Sequence, residues 1–173
     1  DATHAIHDQS TEYIIGAVGR AARGAAGSRS IILIAENDLQ ESKMTQPQDE
    51  GGNGLDGMWN DDFHHCLRTL LTGERGGYYR DYGDFNQFVK AYREGFAYSG
   101  EYSKFRRRRH GNSSRDLGAD RFVVFAQNHD QIGNRPAGDR LHHTIEAASW
   151  RAASALLLTA PMTPLLFMGQ ECV

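Results

Sequence analysis

The feature that most constrains the fold is an apolar segment that stops abruptly at polar and ionisable residues. It runs from Phe122 to Gln127 and ends at Asn128, His129 and Asp130. A run this short, rich in β-branched and aromatic residues and without polar–apolar alternation, predicts a strand buried on both faces. Such strands occur in parallel sheets covered by helices, where the polar residues that follow the strands meet at one edge of the sheet.

Three further strand candidates follow the same plan. An apolar run over residues 30–38 ends in polar groups that include Glu36, a weaker strand is expected at residues 55–59, and the run "TPLLFMGQE" closes the chain. Apolar residues at helical spacing predict helices at residues 9–26 with Ser10 as N-cap, 63–71, 85–100 with Asp84 or a neighbour as N-cap, and 144–159. The alternation of strands and helices indicates an α/β fold. A full TIM (β/α)8 barrel has eight strands, so we predict a partial barrel of about the last four to five β/α units.

Composition narrows the function classes. The formal net charge of −3 argues against a general nucleic-acid or anionic-membrane binder. No apolar run approaches the roughly 20 residues that span a bilayer. Two cysteines, Cys66 and Cys172, are too few for a disulfide scaffold and suit a reducing compartment, so we expect a cytoplasmic protein. The basic run Arg106–His110 lacks interleaved aromatic residues, and a solvated loop is the expected structure there.

Three carboxylates stand at strand ends or in equivalent positions: Asp1, Glu36 and Asp130. Glycoside hydrolysis uses a carboxyl pair across the scissile bond, one group as proton donor and the other as nucleophile or base. A third carboxylate can favour the positive charge of the transition state. His4 and His129 lie close to these acids in sequence and could hydrogen-bond sugar hydroxyls. On spacing alone, helix caps or solvated acids remain an alternative.

The stretch "WNDDFHH" after the second strand candidate offers a further sugar-binding surface. Trp59 could stack on a sugar ring, while Asp61, Asp62 and His64 could hydrogen-bond hydroxyl groups. The alternative is a helix N-cap at one of the two aspartates, with Trp59 in the core. Neighbouring histidines also occur in metal sites, but no third or fourth ligand stands at a known spacing. We therefore expect neither a metal nor any other cofactor.

Several motifs resemble the α-amylase superfamily of glycoside hydrolases. "AQNHDQIGN" resembles its region with the third catalytic-site Asp, "LIAEND" its general acid/base region, and "DATHAI" its nucleophile region. Within the superfamily, "NHDQIGNRPAGDRL", "WNDDFHHCLRTLLTGERGGYYRDYGD" and "PLLFMGQE" most resemble the maltooligosyltrehalose trehalohydrolases. The resemblance extends over essentially the whole chain.

The resemblance implies roles for individual residues. Asp1 matches the nucleophile, Glu36 the acid/base and Asp130 the transition-state stabiliser of a retaining mechanism. The implied reaction is hydrolysis of the α-1,4 bond next to the terminal trehalose of maltooligosyltrehalose, an α-glucan substrate, with neither nucleic acid nor membrane as partner. The residues expected to bind substrate are His4, Trp59, Asp61, Asp62, His64, Asn128, His129, Gln131 and Arg135.

The resemblance also implies a domain arrangement. Residues 1–173 are expected to be part of a catalytic barrel domain, with an amino-terminal sandwich domain, the first half of the barrel and a carboxyl-terminal domain outside this chain. The fragment is then expected to be inactive alone. Alternatives are a glycogen or α-glucan branching enzyme, another enzyme of the superfamily, and a non-catalytic α-glucan-binding remnant. The sequence does not indicate the oligomeric state.

Overall fold

The computed structural model describes residues 1–172. It contains a four-stranded parallel sheet, a two-stranded antiparallel ribbon and five α-helices. The elements in chain order are α1 (Ile14–Ala26), β1 (Ile34–Ala35), β2 (Gly57–Trp59), α2 (Asp61–Thr72), α3 (Phe85–Glu94), β3 (Tyr102–Ser103), β4 (Arg108–Arg109), β5 (Phe122–Phe125), α4 (His129–Gly133), α5 (Ala147–Leu158) and β6 (Thr163–Leu165). No helix in this described part combines the length and apolarity needed to cross a bilayer.

All four predicted strands form, and they join one sheet in the order β1-β2-β5-β6 with every neighbouring pair parallel. This confirms the predicted α/β class and is consistent with part of an α/β barrel. Since the strands are parallel, their carboxyl ends lie at the same edge of the sheet. Glu36 follows β1 at that edge, Asp61 lies two residues beyond β2, and Asn128 three residues beyond β5.

The two faces of the sheet differ in how they are covered. On one face, side chains such as Met58, Phe122 and Val124 join a core with residues of α2 and α3. On the opposite face, Ile34 is 45% exposed, although Phe125 at the centre of the sheet is fully buried. The helices thus cover the first face over β1, β2 and β5, whereas Pro164 of β6 is exposed there, and the opposite face is covered only in the middle.

Some element boundaries differ from the sequence prediction. The first strand spans only Ile34–Ala35 rather than residues 30–38, because Leu33 N donates to the Asp56 carboxylate instead of to a strand carbonyl. Helix α1 begins at Ile14 rather than near residue 9. Its first turn is capped by Asp8, whose carboxylate accepts from Ile14 N at 2.6 Å, and not by the predicted Ser10.

Two glycines of α1, Gly16 and Gly19, pack closely against the chain that follows β1. A Cβ at Gly16 would lie 3.3 Å from Gln48 Nε2, and one at Gly19 would lie 3.3 Å from a methyl carbon of Leu55. Gln48 Nε2 also donates to the Gly16 carbonyl at 2.9 Å. The predicted apolar stripe is only partly buried, since Val18 is 55% exposed. Small residues therefore set the distance between α1 and the chain that follows β1.

The segment between α3 and β5 contains a short two-stranded ribbon that was not predicted from the sequence. β3 and β4 pair in antiparallel fashion, with Tyr102 opposite Arg109. The buried carboxylate of Asp81 accepts from the Ser103 hydroxyl and from Phe105 N, so it holds the ribbon against the turn after α2. The segment between β5 and the predicted helix 144–159 contains a further short helix, α4, that was not predicted.

The difference between the two sheet faces gives a stability prediction. Met58→Ala should lower the free energy of unfolding by about 2–5 kcal/mol, because it leaves a cavity under the helices. Ile34→Ala should cost only about 0.5 kcal/mol, because that side chain is largely in solvent. Urea denaturation of the purified chain measures both values. Equal losses in the two variants would contradict the description of one covered and one open face.

Candidate active site

The first residues of the chain are held against the end of β1. Thr3 donates from its backbone N and its hydroxyl to the Glu36 carbonyl oxygen, at 2.9 and 2.7 Å. Ala2 N donates to Glu36 Oε2 at 3.2 Å, and Asn37 Nδ2 donates to the Thr3 hydroxyl at 3.2 Å. These bonds bring Asp1 beside Glu36 although 34 residues separate the bonded partners Ala2 and Glu36.

Asp1, Glu36 and His129 form a compact cluster at the carboxyl edge of the sheet. One carboxylate oxygen from each acid and one ring nitrogen of the histidine lie within 4.8 Å of one another. Retaining glycosidases place their two carboxyl groups about 5–5.5 Å apart, so this spacing suits direct attack by one carboxylate. The same spacing would also admit a cation, so the expected absence of a metal stays a prediction.

Asp130 joins this cluster through the turn after β5. Asn128 caps α4, accepting from Asp130 N at 2.9 Å, while Gln131 Oε1 accepts from Asn128 N at 2.7 Å. The Asp130 carboxylate lies 3.4 Å from His129 Nε2. Asn128 and Gln131 are buried, so they shape the loop, and the predicted direct contact of their side chains with substrate is corrected to this capping role.

His4 and Asp38 border the cluster on the side of β1. His4 Nδ1 lies 3.7 Å from Asp38 Oδ1, and Asp38 Oδ2 accepts from Arg106 Nη2 at 3.2 Å. The Arg106 side chain is only 10% exposed, which corrects the prediction of a solvated loop for this residue. Arg107–Arg109 are exposed as expected, but Arg108–Arg109 form β4 rather than a loop and His110 is buried. Neither Asp38 nor Arg106 was among the predicted site residues.

Trp59 and Asp61 lie between the two strand ends that carry the acids. The half-buried Trp59 ring has its centroid 5.6 Å from that of His129 and 5.6 Å from that of Phe125. The pKa of Asp61 is raised to about 7, first by burial and then by the negative charges around it. Those charges belong to Asp62, Asp38, Glu36 and Asp130. Asp61 therefore lies within the field of the whole acidic cluster.

Comparison with known proteins identifies homologues of this chain. The chain is 43% identical to malto-oligosyltrehalose trehalohydrolase from Saccharolobus solfataricus over 171 residues, 99% of this chain and 30% of that protein. The proteins of the same name from Rhizobium sp. strain M-11 and Deinococcus radiodurans are 42% and 40% identical over 99% of this chain, covering 29% and 28% of their own lengths. The chain is a homologue of the malto-oligosyltrehalose trehalohydrolases.

The structural comparison agrees with that relationship. A crystal structure described as an α-amylase from Salmonella typhimurium matches with a TM-score of 0.90 and 37% identity, over 98% of this chain and 30% of that one. No protein-family model matches the chain. The chain spans about 30% of the length of the curated trehalohydrolases that it matches.

Two residues that the trehalohydrolase resemblance suggested as sugar ligands are instead part of the interior. Asp62 and His64 are fully buried. The Asp62 carboxylate accepts from the Tyr82 hydroxyl at 2.5 Å and from the backbone N of Ala97 and Tyr98, at 2.7 and 3.0 Å. Burial raises the pKa of Asp62, and these hydrogen bonds oppose that effect. The predicted substrate contact of both residues is therefore wrong in this arrangement, because α2 is surrounded by other parts of the chain over residues 62–69.

Arg135 lies beside a cavity that adjoins the cluster. The cavity has a volume of about 290 Å³ and is lined by Asp130, Tyr78, Tyr79 and Arg135, among others. Arg135 Nη2 donates to Glu74 Oε2 at 2.8 Å, and Glu74 also accepts from the buried Arg68 at 2.8 Å. In this trehalohydrolase homologue, Glu74 lines the cavity but was not among the predicted site residues, because it follows no strand end that would signal a role.

The raised pKa of Asp61 predicts a pH-dependent stability. An acid with a raised folded-state pKa stabilises the fold fully below its ordinary value of 3.8, and that stabilisation is lost as the pH rises through about 7. Asp61→Asn removes the ionisation. As the pH is raised from about 5 to about 8, the free energy of unfolding of the variant should therefore rise by on the order of 1–2 kcal/mol relative to that of the parent.

Urea denaturation at the two pH values measures this difference. Asp49→Asn, at an exposed site, serves as the control and should follow the parent at both pH values. If Asp61→Asn and the parent show the same pH dependence, Asp61 does not lie in the field of the acidic cluster.

Proposed function

We propose that this chain carries the catalytic groups of a glycosidase that releases trehalose from maltooligosyltrehalose. The observation that supports this most is the convergence of Asp1, Glu36 and His129 within 4.8 Å at the carboxyl edge of a parallel sheet. In barrels of β/α units, active sites lie at that edge. The sequence relatives all named for this hydrolysis supply the substrate class.

The proposed mechanism is a retaining double displacement. Glu36 donates a proton to the glycosidic oxygen while Asp1 attacks the anomeric carbon, and trehalose departs. Glu36 then takes a proton from water, which attacks the same carbon and releases the maltooligosaccharide from Asp1. Asp130 stabilises the positive charge that develops on the sugar in both transition states.

The proposed sugar contacts are the predicted ligands that remain accessible. His4, Trp59 and Asp61 surround the cluster of Asp1, Glu36 and His129, and all four proposed ligands, His129 included, are half-buried or exposed. An aromatic face beside polar groups suits a sugar ring, which presents apolar C–H faces and a rim of hydroxyl groups. Arg135 would contribute from the adjoining cavity.

We also propose that residues 1–173 work as part of a longer chain that completes a (β/α)8 barrel. The open face of the sheet, with Ile34 at 45% exposure, supports this, because an apolar sheet face needs a covering layer. The predicted sandwich and carboxyl-terminal domains belong to the same proposal. The cytoplasmic location and the inactivity of the isolated chain stay predictions.

A second candidate function is hydrolysis of ordinary α-1,4-glucans. It is favoured by the α-amylase description of the Salmonella structure, which matches 98% of this chain. The same carboxylates would perform that reaction on a substrate without trehalose. The two candidates differ only in the glucose units on the leaving-group side, so the products tell them apart.

The acid/base role of Glu36 can be tested in the longer chain. Glu36→Gln should lower kcat for trehalose release by at least about 10³-fold, because an amide cannot donate the proton that the leaving oxygen needs. Chromatography of products from maltotriosyltrehalose measures the rate. Glu50→Gln, at an exposed glutamate outside the cluster, is the matched control and should keep the parent's rate.

The outcomes separate the alternatives. Trehalose as the first product supports the trehalohydrolase proposal, whereas maltose and glucose from plain α-glucans alone would favour the second candidate. New α-1,6 branches would indicate a branching enzyme. Binding of the sugar without any cleavage by the parent would indicate a non-catalytic remnant, and full activity in Glu36→Gln would contradict the role of Glu36.

A further inference from the structure

His64 has no place in the proposed reaction, yet both of its ring nitrogens are engaged in the interior. Nδ1 lies 2.7 Å from the carbonyl oxygen of Ala126, and Nε2 lies 2.9 Å from the hydroxyl oxygen of Tyr79. A carbonyl oxygen can only accept a hydrogen bond, so the proton resides on Nδ1. Nε2 then carries the lone pair and accepts from the Tyr79 hydroxyl.

The bond from Nδ1 joins helix α2 to the end of the strand that leads into the catalytic loop. Ala126 directly follows β5 and is fully buried. Its carbonyl stands two residues before Asn128, the residue that caps α4 and accepts from Asp130 N. The position of this carbonyl therefore sets where the loop with His129 and Asp130 begins.

Ring contacts connect the same histidine to the rim of the site. The His64 ring stacks on Phe125, with 5.9 Å between centroids and 24° between planes. The Phe125 and Trp59 rings are 5.6 Å apart between centroids, and the Trp59 and His129 rings are also 5.6 Å apart. A continuous line of rings thus runs from the interior to the imidazole that lies beside Asp1 and Glu36.

The charge state of His64 is constant over the working range of most enzymes. Burial lowers the pKa of His64 to about 3, although the hydrogen bond to Ala126 opposes that effect. The ring is therefore neutral at neutral pH, and its single proton stays available for the Ala126 carbonyl.

We propose that His64, in the form protonated on Nδ1, is a positioning residue that fixes the strand end and loop carrying His129 and Asp130. It acts through its hydrogen bond to the Ala126 carbonyl, without touching substrate. Its effect on turnover rests on the proposed glycosidase function, whereas its effect on the loop does not.

Two amide substitutions separate the roles of the ring nitrogens. The Asn side-chain nitrogen stands two bonds from Cβ, as Nδ1 does, so His64→Asn keeps a donor for Ala126. The Gln amide stands three bonds from Cβ, as Nε2 does, so His64→Gln keeps a partner for Tyr79 and loses the donor to Ala126. Both variants place an amide at the same buried position, and both lose the ring contact with Phe125.

The experiment measures kcat and KM of both variants in the longer chain, together with amide hydrogen exchange over residues 126–134. His64→Gln should lower kcat by about 10- to 100-fold with little change in KM, because a displaced carboxylate affects the transition state more than sugar binding. His64→Asn should recover at least about a third of the parent's kcat. Hydrogen exchange over residues 126–134 should be faster in His64→Gln than in His64→Asn.

Equal kcat values and equal exchange in the two variants would overturn the proposal. So would a nitrogen NMR spectrum of the unmodified protein with the His64 proton on Nε2, a result that requires no variant to fold. If His64→Gln does not fold, His64→Leu, which fills the space without a donor, takes its place. An inactive parent whose variants still differ in exchange would contradict the proposed function and retain the positioning role.

Discussion

Parallel pairing of β1, β2, β5 and β6 is the constraint on which the candidate site depends. The strands are only two to four residues long, but their shared direction places every carboxyl end at one edge of the sheet. Glu36, Asp61 and Asp130 are distant in sequence and meet there because each follows a different strand. The bonds from Thr3 to the Glu36 carbonyl then add Asp1 to the same edge.

The negative charges of these acids repel one another, and the buried and exposed acids are stabilised in different ways. The buried carboxylates of Asp62 and Asp81 are surrounded by hydroxyl and backbone N–H donors, which replace the water they lose. The acids at the rim keep access to solvent instead. Asp61 stands between these two environments, and its raised pKa shows that its charge is poorly compensated. Such perturbed acids are typical of functional sites.

The sequence predicted the elements whose signals are local. The N-cap expected at or near Asp84, the four apolar runs and the polar groups behind them can all be read within a few residues. The motif "NHDQ" also indicated the loop with Asp130 correctly as a strand-end feature. What local pattern could not give was the direction of each side chain in "NDDFHH". Successive helix positions differ by about 100°, and residues 62–69 are all buried, so α2 is enclosed on every side and only Asp61 of this motif reaches the rim.

Sequence patterns also could not predict contacts between segments that are distant in the chain. Arg106 looked like one member of a solvated basic run, yet its side chain is only 10% exposed and donates to Asp38, 68 residues away. Nothing within "RRRRH" distinguishes the first arginine from the other three. Likewise, Gly16 and Gly19 weaken the helical pattern of α1 but are the points at which that helix approaches Gln48 and Leu55.

The most direct test of the account is to trap the sugar on the enzyme. A 5-fluoro maltosyl fluoride, incubated with the longer chain and followed by proteolysis and mass spectrometry, labels the nucleophile of a retaining glycosidase. We predict a single maltosyl adduct on the carboxylate of Asp1, within contact distance of Glu36. An adduct on any other residue, or turnover without an adduct and with inversion at the anomeric carbon, would contradict the convergence of these acids around one sugar ring.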